Sequence, residues 1–163
     1  MRVHIIGIFL GHCEFDFVIL VDSSGSITDA DSGNWERVKQ LLRMLVNVID
    51  EDSEISVTSR VALYQYSNYI DTRSTFEDRR NRDQLIDVIG STQIIGGFTH
   101  MYTAVQMAAE YLQQSARRVS GEISATQAII LFTDGKPCEN GRKYEMSSFC
   151  QNLCIIQSLL LLL

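Results

Sequence analysis

The chain has 163 residues, which is the length of one ordinary domain and leaves no room for two. Hydrophobic residues make up 45% and charged residues 21%, which excludes an intrinsically disordered chain, and a single proline excludes collagen-like and proline-rich proteins. The net charge is −6 and no Lys/Arg run is longer than a pair, so the composition argues against a nucleic-acid-binding surface and is compatible with holding a cation.

Residues 1–13 have the outline of a weak secretory leader. Arg2 precedes a short apolar run that ends near Leu10, as in the positive and apolar regions of a signal peptide. His4 interrupts this run, and no A-x-A cleavage site follows it. A short extra strand, or the remnant of a truncated chain, is therefore the alternative interpretation of this segment.

Apolar strands alternate with amphipathic helices through the middle of the chain. Two of the strands are continuous apolar runs, which indicates an α/β fold with an open, mostly parallel sheet flanked by helices. In chain order, the sequence predicts a buried strand over 15–21, a helix over 35–49 capped by Thr28 or Asp29, strands over 60–66 and 69–75 joined by a hairpin-like turn, helices over 83–89 and 104–112, and a buried strand over 128–132.

The chain ends in a mostly apolar run from Cys154 to Leu163. A membrane-spanning helix needs about 20 apolar residues, so this run predicts no transmembrane segment. Its continuous apolar character favours a strand that is buried in a parallel sheet.

Four cysteines are too few for a disulfide scaffold, and none of them forms a C-x-x-C pair. Their even number permits two disulfide bonds in three connectivities, or none. Two thiols four residues apart do not complete a zinc site, so buried or bridged cysteines are the simpler interpretation. The cysteines are Cys13, Cys138, Cys150 and Cys154.

Oxygen-bearing side chains follow the two most apolar strands. Asp22, Ser24 and Ser26 come directly after the first of these strands, and Asp134 comes after the last. Thr99 follows a Gly-Gly pair and adds a third hydroxyl. Ligands of open α/β sheets bind outside the carboxyl ends of the strands, so we expect these groups to meet there. Five oxygen donors suit Mg²⁺, with Mn²⁺ or Ca²⁺ as alternatives, although the first loop is also ordinary turn and cap chemistry.

The ordered set of motifs resembles the von Willebrand factor type A domain family, which includes integrin inserted domains and the matrilin and collagen A-domains. The metal-ion-dependent adhesion site (MIDAS) of that family has the pattern D-x-S-x-S, then a distant Thr, then an Asp that opens a T-D-G turn. Here Asp22, Ser24 and Ser26 match the first part, Thr99 matches the second, and Asp134 matches the third. The resemblance implies that these residues bind a divalent cation, with one coordination position left for an acidic side chain of a partner.

The resemblance covers residues 16–137 and leaves an atypical tail over 138–163, within a single domain over 14–163. Family topology implies the strand order 3-2-1-4-5. The apolar character and spacing of the tail predict that a strand over 155–163 follows a short helix over 143–151 and lies parallel to the strand over 128–132. Family topology also implies that the last strand and the closing helix of the family are missing from this chain.

These features together predict a secreted, extracellular module that is not an enzyme. It would bind collagen or another matrix or cell-surface protein through an acidic residue of that protein. The alternatives are a truncated isoform that does not bind a ligand, and a phosphotransfer hydrolase, whose second Asp is replaced here by Ser24. A serine hydrolase built from Ser24, His100 and Asp134 lacks the G-x-S-x-G turn.

Overall fold

The computed structural model describes residues 14–29, 31–51, 59–134 and 153–159, which form seven strands and four helices. No helix in these residues is long and apolar enough to cross a membrane. The strands are β1 Phe15–Asp22, β2 Arg60–Tyr66, β3 Ile70–Ser74, β4 Arg118–Val119, β5 Glu122–Ile123, β6 Thr126–Thr133 and β7 Leu153–Leu159. The helices are α1 Ser26–Asp29, α2 Asn34–Glu51, α3 Arg82–Ser91 and α4 Met101–Gln114.

Five strands form the central sheet in the order β3-β2-β1-β6-β7. The pairs β1–β2, β1–β6 and β6–β7 are parallel, and β2–β3 is antiparallel. The predicted α/β class, the mostly parallel sheet and the strand order are therefore confirmed. All eight residues of β1 are buried, as expected for a strand with neighbours on both edges and helices on both faces.

Helices cover both faces of the sheet because side chains alternate along β1. Ile19 and Val21 point to the face covered by α2 and α3, where Leu42 of α2 is buried. Val18 and Leu20 point to the face covered by α4. The side chains that α4 buries are mostly small: Ala104, Ala108, Ala109 and Leu112.

The tail strand confirms the pairing predicted from its apolar sequence. β7 pairs in parallel with β6 from Gln127↔Leu153 to Thr133↔Leu159, so it starts two residues earlier than expected. The predicted crossover helix over 143–151 and the leader over 1–13 lie outside the described residues. Three of the four cysteines also lie outside them, and Cys154 is in β7, so the disulfide connectivity stays open.

Two local features differ from the sequence prediction. Thr28 and Asp29 do not cap the long helix, because they belong to α1, and α2 begins only at Asn34, whose side-chain amide donates to the Ile27 carbonyl at 3.0 Å. The β4–β5 hairpin was not predicted. Its turn has positive φ at both Ser120 (53°) and Gly121 (91°), the backbone of a two-residue hairpin turn.

A buried ion cluster joins the amino ends of β1 and β2. Asp16 is 0% exposed, and its carboxylate accepts hydrogen bonds from Arg60 Nε (2.8 Å) and Nη2 (2.6 Å). Arg117 Nη2 donates to the same carboxylate at 2.8 Å. Two guanidinium groups thus compensate one buried carboxylate, which holds these strand ends and the segment after α4 together.

Three loops meet at the carboxyl ends of β1 and β2, and backbone hydrogen bonds join them. We call residues 23–25 the first loop, 67–69 the second loop and 92–100 the third loop. The Ser23 carbonyl accepts from Gly96 N at 2.8 Å, and Gly25 N donates to the Gly97 carbonyl at 3.0 Å. Ser67 Oγ donates to the Phe98 carbonyl at 2.9 Å, so the second loop also holds the third.

Gly97 lies where no other residue fits. Its φ is +82°, and a Cβ atom there would lie 2.3 Å from Asn68 Nδ2. Asn68 cannot easily move away, because its Oδ1 accepts a hydrogen bond from Phe98 N at 2.8 Å. Gly96 also has a positive φ (+76°), but a Cβ atom there would meet nothing within 4 Å. The crowded position therefore needs glycine for space as well as for backbone conformation.

Deletion of residues 153–163 should make the protein insoluble, because it leaves the outer edge of β6 without a strand beside it, and exposed apolar edges aggregate. The soluble fraction after expression and the melting temperature measure this effect. Deletion of 160–163 alone keeps β7 and serves as the control. A 153–163 deletion that stays soluble with an unchanged melting temperature would contradict the role of β7.

Gly97→Ala should destabilise the protein by about 3 kcal/mol, because it adds a clash with Asn68 to the backbone strain. Gly96→Ala should cost only about 1 kcal/mol, since it adds strain without a clash. Urea unfolding of both variants gives the two free energies. Equal losses would show that the contact with Asn68 does not restrict position 97.

Candidate functional site

Asp22 is held in a fixed orientation at the carboxyl end of β1. Asp22 is only 1% exposed, and both oxygens of its carboxylate accept hydrogen bonds. Ser24 N donates to Oδ1 at 2.9 Å, and Thr133 Oγ1 donates to Oδ2 at 3.0 Å. Because Thr133 ends β6, this second bond joins the ends of two neighbouring parallel strands.

Two hydroxyl groups lie next to each other after Asp22. Ser24 Oγ and Ser26 Oγ are 3.1 Å apart and hydrogen bonded, and either can be the donor. The first loop positions them, since Ser24 lies in its tight turn and Ser26 begins α1. The alternate spacing in the sequence therefore brings both hydroxyls to one place, as predicted.

The third loop carries Thr99 to the same end of the sheet. Thr99 is 2% exposed and lies two residues before α4. The loop that holds it is bonded to the first loop through Gly25 and Gly97, and to the second loop through Ser67. A residue 73 positions after Ser26 in the chain thus reaches the site through loop contacts and not through strand pairing.

Asp134 directly follows β6 and adds a second carboxylate beside the first. Burial is the main cause that raises the pKa of Asp22, and the negative charge of Asp134 raises it further. The hydrogen bonds from Ser24 and Thr133 oppose this increase. Two carboxylates close enough to interact, one of them buried, form an environment that a cation would stabilise.

The structure brings the first loop, Thr99 and Asp134 to one end of the sheet, as the sequence predicts. Among the described residues there is no group of three or more His, Cys, Asp or Glu side chains that could hold a metal ion. A cation at this end would need the hydroxyl oxygens together with the two carboxylates. Such a donor set favours a hard divalent cation over one that prefers thiolate or imidazole ligands.

Several residues of this end were missed in the sequence. Thr133 was noted only as part of a turn, although it orients Asp22. Tyr66 is fully buried opposite Asp22 in the β1–β2 register, and burial, followed by the charge of Asp22, raises its pKa. Ser67 directly follows Tyr66, and its hydroxyl donates a hydrogen bond to the third loop. Aligning the carboxyl ends of the two predicted strands over 15–21 and 60–66 would have indicated that Tyr66 lies near Asp22.

The arrangement does not support a serine hydrolase. The Ser24 hydroxyl is hydrogen bonded to Ser26, and no hydrogen bond joins Ser24 to His100 in the part of the chain that the structure describes. The backbone N–H of His100 donates to the Ser67 carbonyl at 3.2 Å. This contact between the second and third loops accounts for the position of His100 without a catalytic role.

Solved structures with a similar fold come from distant organisms. Proximal thread matrix protein 1 from the mussel byssus superposes with a TM-score of 0.67 at 19% identity, over 89% of this chain and 37% of that chain. The vWF domain of the type V pili tip protein Mfa5 from Porphyromonas gingivalis has a TM-score of 0.60 at 19% identity, over 77% and 39%. At these identities the likeness shows the fold alone.

Sequence relatives are large proteins of which this chain matches a small part. Human integrin alpha-X is 31% identical over 126 residues, which are 76% of this chain and 10% of the integrin. The transmembrane cell adhesion receptor mua-3 of Caenorhabditis elegans is 27% identical over 142 residues, or 82% of this chain and 4% of the receptor. This chain thus spans a tenth or less of these relatives.

The family comparison covers most of the chain. The pattern of the von Willebrand factor type A domain matches residues 16–152, a range that includes β1 from its second residue, β2 to β6, and all five predicted site residues. The sheet order and the loops at its carboxyl end agree with this match. The chain belongs to the von Willebrand factor type A domain family.

Proposed function

We propose that the chain is a metal-dependent adhesion module that binds a divalent cation at the carboxyl end of β1 and β6. The observation that carries this proposal is the buried carboxylate of Asp22, which interacts with the charge of Asp134 and, among the described residues, accepts hydrogen bonds from the neutral donors Ser24 N and Thr133 Oγ1. A cation would compensate both carboxylates. The proposed ligands are Asp22, Ser24, Ser26, Thr99 and Asp134.

Mg²⁺ is the proposed cation because every proposed donor is an oxygen. Mn²⁺ and Ca²⁺ prefer similar donors and are the alternatives. A MIDAS occupied by zinc is known for the mussel proximal thread matrix protein 1, which has a similar fold. This supports a divalent cation in general, and the oxygen-only donor set of this chain supports Mg²⁺.

Each residue of the site has a defined task in this proposal. Ser24 N and Thr133 Oγ1 fix the two oxygens of Asp22, so the carboxylate is already oriented for a cation. The hydroxyls of Ser24 and Ser26 are already next to each other, so both oxygen atoms could bind the same cation. The cation, when bound, would supply a Lewis-acidic position for the carboxylate of another protein.

We propose an acidic residue of an extracellular protein, such as collagen or another matrix or cell-surface protein, as the ligand of this site. The integrin and adhesion-receptor relatives support this class of partner and an extracellular location. The proposed activity is binding without catalysis. Nothing in it needs nucleic acid or a membrane.

Two exposed aromatic side chains extend the proposed binding surface. Phe98 is 67% exposed and directly precedes Thr99, and Tyr69 is 59% exposed in the second loop. The loops that carry them are bonded to each other through Ser67 and Asn68, so both rings are presented from a connected surface. Exposed aromatic residues beside a charged site are typical anchors for a protein ligand.

Asp134→Ala should abolish Mg²⁺ binding, measured by calorimetry, and should leave the fold intact because the residue follows a strand and lies outside the core. Asp87→Ala removes the same charge from the exposed face of α3 and should bind Mg²⁺ like the parent. The proposed site is wrong if Asp134→Ala binds Mg²⁺ with the affinity of the parent.

Binding to immobilised collagen or another matrix protein should be lost in EDTA and restored by Mg²⁺ or Mn²⁺, because the partner carboxylate needs the cation. Neutralisation of one acidic residue of that partner should have the same effect as EDTA. Surface plasmon resonance measures both effects. Adhesion that persists after chelation would place the interaction on another face of the domain.

Phe98→Ala should weaken the binding of that partner about ten-fold, since an exposed aromatic anchor typically contributes this much, and should leave the Mg²⁺ affinity unchanged. Val119→Ala is the control, because Val119 is similarly exposed (66%) but lies on the distant β4–β5 hairpin. Equal partner affinities of Phe98→Ala and the parent would exclude Phe98 from the binding surface.

A further inference from the structure

A cavity of about 630 Å³ lies at the end of the sheet opposite to Asp22. Arg60 and Val61, at the start of β2, line it, whereas Asp22 is level with Tyr66 at the end of β2. Six residues of strand separate the two levels, which corresponds to about 20 Å. The cavity is thus separate from the proposed cation site, and its volume is that of a pocket for a small molecule.

Five of the 14 Lys and Arg residues of this acidic chain line the cavity. Among the described residues of the lining, the acidic one is Glu77, whose carboxylate accepts a hydrogen bond from the Tyr111 hydroxyl at 2.9 Å. The arginines are Arg60, Arg79, Arg80, Arg82 and Arg117. Positive charge is therefore concentrated here in a chain whose net charge is −6.

The five arginines differ in how closely their guanidinium groups are paired with carboxylates. Arg60 and Arg117 bind the buried carboxylate of Asp16 and serve the fold. Arg82 pairs with its neighbour Asp83 at 2.9 Å.

Arg79 and Arg80 are the two that remain available to a ligand. Arg80 is 3.7 Å from Asp78, which is a long ion pair. Within the described residues, no ion pair engages Arg79, which is exposed and has a left-handed φ of 49°. Both guanidinium groups could therefore bind an anion without breaking a close ion pair.

The amino end of α3 adds to the positive potential of the cavity. Asn81, the N-cap of this ten-residue helix, lines the cavity together with Arg82. The partial positive charge of a helix amino end favours an anion. The lining also includes aliphatic side chains, namely Val46 and Ile49 of α2 and Leu85 of α3, which we call the apolar wall.

We propose that this cavity binds a small anionic amphiphile, in which a phosphate or carboxylate head is joined to a short apolar group. The head lies at Arg79 and Arg80 near the amino end of α3. The apolar group packs against Val46, Ile49 and Leu85. Arginines and aliphatic side chains in the lining of one cavity match both halves of such a molecule. The proposal does not depend on the cation site.

Calorimetric titration of the full chain with hexyl phosphate, inorganic phosphate and hexanol tests the two halves of the ligand. Hexyl phosphate should bind at least about ten-fold more tightly than either of the other two, because it alone contacts both the arginines and the apolar wall. Inorganic phosphate that binds as tightly would exclude a role for the apolar wall. Equal binding of hexanol would exclude the arginines, and no saturable binding of hexyl phosphate in the millimolar range would overturn the proposal.

Two matched variants test the position of the head. Arg79→Gln should weaken hexyl phosphate binding about five-fold or more, because it removes the positive charge and leaves a neutral polar side chain. Arg118→Gln removes the same charge from the exposed β4–β5 hairpin outside the cavity and should bind like the parent. Equal affinities of Arg79→Gln and the parent would overturn the assignment of the head.

Discussion

The complete burial of β1 is the constraint on which the rest of the structure depends. Its backbone pairs with parallel strands on both edges, and its side chains pack under helices on both faces. A strand in this position can carry polar side chains only near its ends, where loops and ions can reach them. The first loop, the second loop and Asp134 consequently lie at the same end of the sheet, where we place the proposed cation site.

The two ends of β1 each bury an aspartate and stabilise it differently. Asp16 has two guanidinium groups as partners, so its charge is compensated within the protein. Asp22 has neutral donors and a second carboxylate nearby, and burial raises its pKa. The first arrangement is complete by itself and supports the fold. The second gives a buried carboxylate only neutral hydrogen-bond donors among the described residues, which is why we assign a ligand to that end and a structural role to the other.

The sequence predicted what depends on repeating patterns and missed what depends on contacts between loops. Apolar runs and helical periodicity were sufficient for the main sheet strands and the long helices, including the pairing of β7. The hydroxyls of Ser24 and Ser26 lie next to each other after β1, as their alternate spacing predicted. Three features of the site depend on contacts between residues far apart in the chain, which no local sequence pattern indicates. They are the hydrogen bond from Thr133 to Asp22, the hydrogen bond from Ser67 to the third loop, and the close approach of Asn68 to Gly97.

The alanines on the buried face of α4 set how closely this helix approaches the sheet. Ala104 and Ala108 are fully buried, and each has a single methyl group between the helix and the strands. Thr99 lies two residues before α4, so the depth at which this helix is seated also sets the position of the Thr99 hydroxyl. Side-chain volume on the buried face of α4 can therefore adjust the spacing of oxygen atoms at the site, without any change in the residues that would hold the cation.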